Sequence, residues 1–349
     1  MSHDSDPFHG VCWLPVGTAD LHGLLRPDLP RQRPFHRLPS SAQAWIGEMG
    51  WHCSTQTAGL WVELDADGTE LFARWTLHHA LRQAGGETRI SAAGLDCYGQ
   101  DEQKHWCFVG QVDLWKEPTS DGAFTKTPLD GRQRRYRVHL PLSSEVQDLA
   151  IGVRGGTKAR LLPPGAEPPV IIYGTSIVHG CYASRPGMAF PAQVMRRLGL
   201  PVVNLGLAGS ALLEPGMASL LADCPARCFV IDSLPNDDHG LIRERYAPFV
   251  QTIRQANPST PIVLVNMPLE ADHAFAARRR ADCNLQNVVW RQAMAPLFAS
   301  GDEHLHVVDG GTLLGEDGDG TVDPIHPNDL GMHRLADVYV DALRRAMGC

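Results

Sequence analysis

Three side chains of this chain have the types and spacing that nucleophilic catalysis requires. Ser176 lies in Tyr173-Gly174-Thr175-Ser176-Ile177, on a tight turn directly after the apolar run Val170 to Tyr173. His326 follows 150 residues later in Asp323-Pro324-Ile325-His326, with an acid three positions ahead of it. A serine hydroxyl is a weak nucleophile at neutral pH and needs a base within hydrogen-bond reach, itself oriented by a third group. Ser176, His326 and Asp323 can supply those parts if the fold brings them together.

The elements that must do so are legible in the second half of the chain. Short apolar runs at Val170 to Tyr173, Val202 to Leu205, Cys228 to Ile231, Ile262 to Asn266 and His306 to Asp309 read as strands. Helical patterns fall between them at Phe190 to Leu198, Leu241 to Ala256 and Arg279 to Ala299, and a last one covers about Asn328 to Met347. Alternation of strand and helix predicts right-handed crossovers, a parallel five-stranded sheet and helices on both faces. In such sheets ligands sit beyond the carboxyl ends of the strands. Ser176, the loop Asn204 to Ser210, the loop Asp232 to Asp237 and the Asp323/His326 pair all follow predicted strands, so they are expected to converge on one crevice.

The first half has a different pattern. Trp61 to Leu64, Glu70 to Leu77, Leu95 to Tyr98, Trp106 to Val109 and Arg135 to Leu140 alternate, or nearly alternate, polar and apolar residues between turn signals. This period of two predicts an all-β sandwich or jelly roll over residues 1–160. Seven of the eight tryptophans lie there, where burial between sheets is the expected fate and sugar stacking the rival one. Four prolines within 161–169 predict a linker, and 170–349 form the second domain.

Composition limits the partners. The 349 residues are 43% hydrophobic with no long apolar run, so no membrane partner is expected. The net charge of -8 is dispersed and offers no basic face to a nucleic acid. The N-terminal Met1 to Pro7 lacks the basic start and apolar stretch of a secretory signal, which makes the cytoplasm the expected compartment. The nine cysteines are scattered, and Cys224/Cys228 has no second pair to complete a metal framework. They read as free thiols. Nothing in the sequence argues for an oligomer or a cofactor.

At four places the residues resemble the SGNH (GDSL-like) hydrolases, over roughly the second half of the chain. Gly174-Thr175-Ser176-Ile177 matches the block that carries the nucleophile, with Thr175 where that block has an acid. Gly209 in Asn204-Leu205-Gly206-Leu207-Ala208-Gly209 matches the second block, Asn236 after Pro235 the third, and Asp323 with His326 the Asp-x-x-His block. Ser210 stands where the family often has Asp or Asn. Gly180 to Met188 resembles a stretch found in esterases that join a jelly roll to this fold, some of which act on acetylated carbohydrates. The resemblance implies an α/β fold of the SGNH type, a three-layer αβα domain preceded by the sandwich. It also implies metal-independent ester hydrolysis through an acyl-enzyme on Ser176. His326 would be the base and Asp323 its orienting acid, and the N–H groups of Ser176 and Gly209 with the Asn236 amide would form an oxyanion hole. The favoured substrate is a short acyl ester, particularly acetyl on a sugar or a related small alcohol. Thioesterases, lipases and acyltransferases use the same residues, and a carbohydrate-binding protein with a relic α/β half is the non-enzymatic rival.

Other signals read as structural. Asp317 to Asp323 has oxygen side chains at alternate positions, yet Asn328 stands where a calcium loop needs glutamate. His78-His79 and His304-x-His306 lack a carboxylate or third histidine at metal-binding spacing. Arg278-Arg279-Arg280 reads as a solvated helix face. His179, three residues after Ser176, is expected near the pocket, with His326 the better base because it has the acid.

Overall fold

The structure, a computed structural model, describes residues 6–81, 85–268, 272 and 274–349. Two antiparallel sheets make up the first half. One has the order Cys12–Pro15, Val146–Arg154, Glu70–Leu77, Thr119–Ala123. The other runs Ala159–Leu162, Trp61–Ala66, Arg134–His139, Leu95–Gln100, Trp106–Val112, with Leu21–His22 added beside Trp61–Ala66. The alternation works as expected. Leu71, Ala73, Trp75 and Leu77 from one sheet meet Val62, Leu64, Tyr136 and Val138 from the other in a shared core. Trp75 is buried there, its indole N–H donating to Ala93 O at 2.9 Å, while Trp61 is buried on the other face of its strand in a core of the α/β half. Trp115 is the exposed exception.

Several strands escape the period-two signal. Thr119–Ala123 is a polar edge strand, and in Val146–Arg154 consecutive apolar and small residues at 149–153 blur the alternation. Leu161 and Leu162, expected in the joint, pair with Leu64 and Glu63. The prolines that bar a ladder begin only at Pro163, so nothing prevents these two residues from extending it.

The second half is a parallel sheet in the order Val202–Gly206, Val170–Gly174, Cys228–Asp232, Ile262–Val265, Leu305–Val308. Every residue of its first three strands in that order is buried, as a sheet covered on both faces demands. Helices Pro215–Ala222, Ala247–Ala256 and Ala277–Phe298 supply Met217, Phe249 and Trp290 to one core. Phe190–Leu198 and Asp329–Met347 supply Phe190, Val194, Leu335 and Tyr339 to the other. The fold is therefore the three-layer αβα type, preceded by a β-sandwich. Because Val202–Gly206 and Cys228–Asp232, the next two strands along the chain, flank Val170–Gly174 on opposite sides, the strand order reverses there and opens a crevice.

One segment of the first half departs from the β pattern. Residues 24–57 form a short turn of helix at Ser40–Ala44 and the helix Glu48–Thr55. Leu25, Leu38, Ala42, Ile46 and Cys53 from it pack with Tyr173, Leu205 and Leu207 in a core of the α/β half. The helix has no clean apolar stripe, which is why periodicity does not reveal it. Among the described residues, no helix is long and apolar enough to cross a membrane.

Candidate active site

Ser176 is delivered by the first parallel strand. The strand ends at Gly174, where a Cβ would lie 2.3 Å from Asp232 O, so only glycine permits this approach. Thr175 then caps the single-turn helix Ser176–His179, its Oγ1 accepting from Ile177 N. Gly180 closes that turn in the left-handed region with φ 97°. Ser176 is thereby held at the mouth of the crevice.

The Asp323/His326 loop faces it. Ser176 Oγ is 2.9 Å from His326 Nε2, and His326 Nδ1 is 2.8 Å from Asp323 Oδ2. The other carboxylate oxygen accepts the backbone N–H groups of Ile325 and His326 at 2.8 and 2.7 Å. Partial burial would raise the Asp323 pKa, but these bonds from the backbone and ring of His326 outweigh it and hold the carboxyl below its ordinary value. An anionic Asp323 selects the tautomer with hydrogen on Nδ1, leaving Nε2 to accept from the serine hydroxyl. Tyr182 lies against the imidazole with ring centroids 4.9 Å apart.

Gly209 and Asn236 come to the same place. Both line a cleft of about 540 Å³ together with Ser176 and His326. Asn236 Nδ2 donates to Ala208 O at 2.6 Å, which leaves its second amide hydrogen free of that bond. A Cβ on Gly209 would meet nothing within 4 Å. Glycine at 209 is thus explained by the space it leaves in the cleft rather than by crowding from the protein. The unusual backbone belongs to its neighbour, for Ala208 has φ 48°.

The remaining signals resolve individually. His179 is buried, with Nδ1 2.9 Å from Gly206 O and Nε2 2.7 Å from Leu142 O. Burial first, and then the Arg37 charge, push its pKa down to about 4. Asp317 is engaged by Arg334, whose hydrogen bond takes the carboxyl down to about 2. Asn328 caps the final helix through Leu330 N and Gly331 N. His78 and His79 do have a carboxylate close by. Glu145, distant in sequence, brings its ligand atom within 4.8 Å of theirs, although it also binds His36 at 2.9 Å and faces Arg33 at 3.4 Å.

Sequence reasoning missed Arg37, which is fully buried. Its Nε donates to Gln56 O at 2.8 Å and its Nη1 to Asn204 O at 3.0 Å; Nη2 reaches Cys53 O and Gly206 O at 2.6 and 2.9 Å. It joins the end of helix Glu48–Thr55 to the strand that leads into the Gly209 loop. No local signal marks it, because its partners are backbone carbonyls as much as 169 residues away.

Residues 167–344, just over half of the chain, match the family described as GDSL-like lipase/acylhydrolase. The chain belongs to that family. Residues 13–159 match the N-terminal region of SGNH-hydrolase-type esterases. A GDSL-like lipase structure from Bacteroides ovatus is similar over 97% of this chain and 98% of its own, with TM-score 0.88 and 28% identity. The salicylyl-acyltransferase of a tetracycline biosynthetic pathway aligns over 98% and 96% with TM-score 0.70 and 22% identity. A family two carbohydrate esterase from Cellvibrio japonicus aligns over 97% and 99% with TM-score 0.59 and 11% identity. At those identities the last two establish likeness of fold. No curated protein matches the sequence. Family and fold together make the protein a carboxylic ester hydrolase.

Proposed function

We propose that the enzyme removes short acyl groups, above all acetyl, from a carbohydrate or related alcohol by way of an acyl-enzyme on Ser176. The observation that carries the mechanism is the continuous hydrogen-bonded chain from Ser176 Oγ through His326 to Asp323, at 2.9 and 2.8 Å. Ser176 Oγ attacks the ester carbonyl carbon while its proton passes to His326 Nε2. The alkoxy bond then breaks, and His326 returns the proton to the departing alcohol. Water repeats the sequence on the acyl-enzyme and releases the acid. Asp323 stabilises the imidazolium in both halves. The N–H groups of Ser176 and Gly209 and the second amide hydrogen of Asn236 receive the developing oxyanion, each typically worth ~3 kcal/mol in the transition state.

The carbohydrate preference draws on the likeness to the Cellvibrio japonicus esterase and on a cleft of about 540 Å³, ample for a small glycoside. Ser176→Ala is the test. It is expected to abolish p-nitrophenol release from p-nitrophenyl acetate with the circular dichroism spectrum intact, and undiminished turnover sinks the mechanism. A screen of acetylated saccharides against simple and long-chain acyl esters then tests the substrate class. Equal rates on all of them refute the preference.

A further inference from the structure

We infer that helix Glu48–Thr55 is the recognition element for the esterified alcohol, with His52 and Gln56 as specificity-determining residues that hydrogen-bond its hydroxyl groups; this rests on Ser176 being the nucleophile.

The helix presents Met49, His52, Cys53 and Gln56 to the same cleft as Ser176, Gly209 and Asn236. Their spacing of i, i+3, i+4 and i+7 marks a single helical face, continued by Gln56 at the C-cap. The helix lies directly on the oxyanion loop. A Cβ at Gly50 would be 3.6 Å from Ser210 Cβ, an ordinary van der Waals contact, so the two elements are neighbours.

A helix face that served packing alone would be apolar. This one places an imidazole and a carboxamide in the cleft. Among the described residues neither side chain has a hydrogen-bond partner, while the backbone carbonyls of both are used, His52 O by Thr55 and Gln56 O by Arg37. Each side chain offers a donor and an acceptor, which matches a hydroxyl that donates and accepts. The described residues that line the cleft include no Lys or Arg, and the carboxylate among them, Glu87, accepts from Ser143 Oγ, so the cleft holds no such cation to pair with a substrate carboxylate or phosphate. A neutral, polyhydroxylated alcohol is the chemistry that fits.

The wall is also held in position. Arg37 clamps Cys53 O and Gln56 O to Asn204 O and Gly206 O, so the helix and the strand before the Gly209 loop form one rigid unit. A recognition group that moved relative to the oxyanion donors would bind substrate without aligning its ester. Here the two are fastened by a single side chain.

The experiment compares kcat/KM for a mono-acetylated methyl glycoside with that for p-nitrophenyl acetate, whose leaving group has no spare hydroxyl. His52→Ala and Gln56→Ala are each expected to lower the glycoside-to-nitrophenyl ratio about tenfold, and the double variant further, in line with loss of one substrate hydrogen bond each. Ratios within twofold of wild type in both variants overturn the inference. So does a wild-type enzyme that cleaves p-nitrophenyl acetate but no hydroxylated ester. Ser176→Ala, run alongside, separates the two readings. If it stays active the nucleophile assignment fails; if it is dead and the ratios are unchanged, only the recognition role fails.

Discussion

Replacing Arg37 with methionine sets two large effects against each other. The guanidinium is fully buried, and burial lowers its pKa to about 10, which leaves it charged at neutral pH. Among the described residues no carboxylate lies within ion-pair distance, so four backbone carbonyls are its whole solvation. Methionine would relieve a desolvation cost of several kcal/mol for the buried ion. It would also remove four charge-assisted hydrogen bonds of about 1.5–3 kcal/mol each and leave carbonyls buried. Gly206 O keeps a contact with His179 Nδ1, so not every acceptor is orphaned. The bonds outweigh the relief, and a net loss of about 3–5 kcal/mol is expected, the range seen when one side of a buried polar pair is deleted. That is a large share of a typical stability of about 5–15 kcal/mol. Urea denaturation followed by circular dichroism measures it, with Arg37→Lys recovering part of the loss through retained charge and fewer donors. If Arg37→Met matches or exceeds the wild-type midpoint, ion desolvation dominates and the clamp has been misread.

Asn236→Ala is expected to lower kcat by about 10²–10³ with little change in KM, because it deletes the amide proposed as an oxyanion donor and frees Ala208 O. Steady-state kinetics on p-nitrophenyl acetate check this, and a kcat within threefold of wild type contradicts the role. Asp237 gives a pH prediction. Burial, helped by the Glu214 and Asp238 charges and opposed by the Ser233 hydroxyl and Arg245, pushes its pKa from 3.8 up to about 8. The folded state therefore holds the proton more tightly than the unfolded one. The associated stability is complete below about pH 4 and is lost as pH rises to about 8. Asp232, pushed up to about 6 by burial, acts in the same direction. Asp237→Asn should flatten the decline, so that its stability relative to wild type is greater at pH 8 than at pH 5. Parallel curves of unfolding midpoint against pH would count against it.

Much of the α/β half was readable because its signals are local. The helix expected over Phe190 to Leu198 forms over those residues and stops at Gly199, whose φ is 70°. Four of the parallel strands differ from expectation by one residue at one end, and the fifth, expected over His306 to Asp309, is shifted by one residue to Leu305–Val308. Others needed the whole chain. Helix Pro215–Ala222 was missed because its Pro-Gly start resembles a turn, although proline is tolerated in a first helical turn. Strand Val146–Arg154 was missed because it gains partners on both sides from Cys12–Pro15 and Glu70–Leu77, far away in sequence.

The candidate site divides along the same line. The Thr175 cap, the Asp323 bonds to the next residues and the Asn328 cap each span three residues or fewer, so residue type and spacing suffice to specify them. The sequence by itself therefore determined the turn that presents Ser176, the Asp323/His326 pair and the strands that carry them. The tertiary structure alone decided that a helix from the first half forms the cleft wall. It also decided that Ala208 rather than Gly209 bears the left-handed backbone and that Arg37 joins this wall to the strand leading into the Gly209 loop. These features depend on polar groups bonded to partners 16 to 169 residues distant. A buried donor takes whichever carbonyl the closed chain brings to it, and no spacing along the chain encodes that choice.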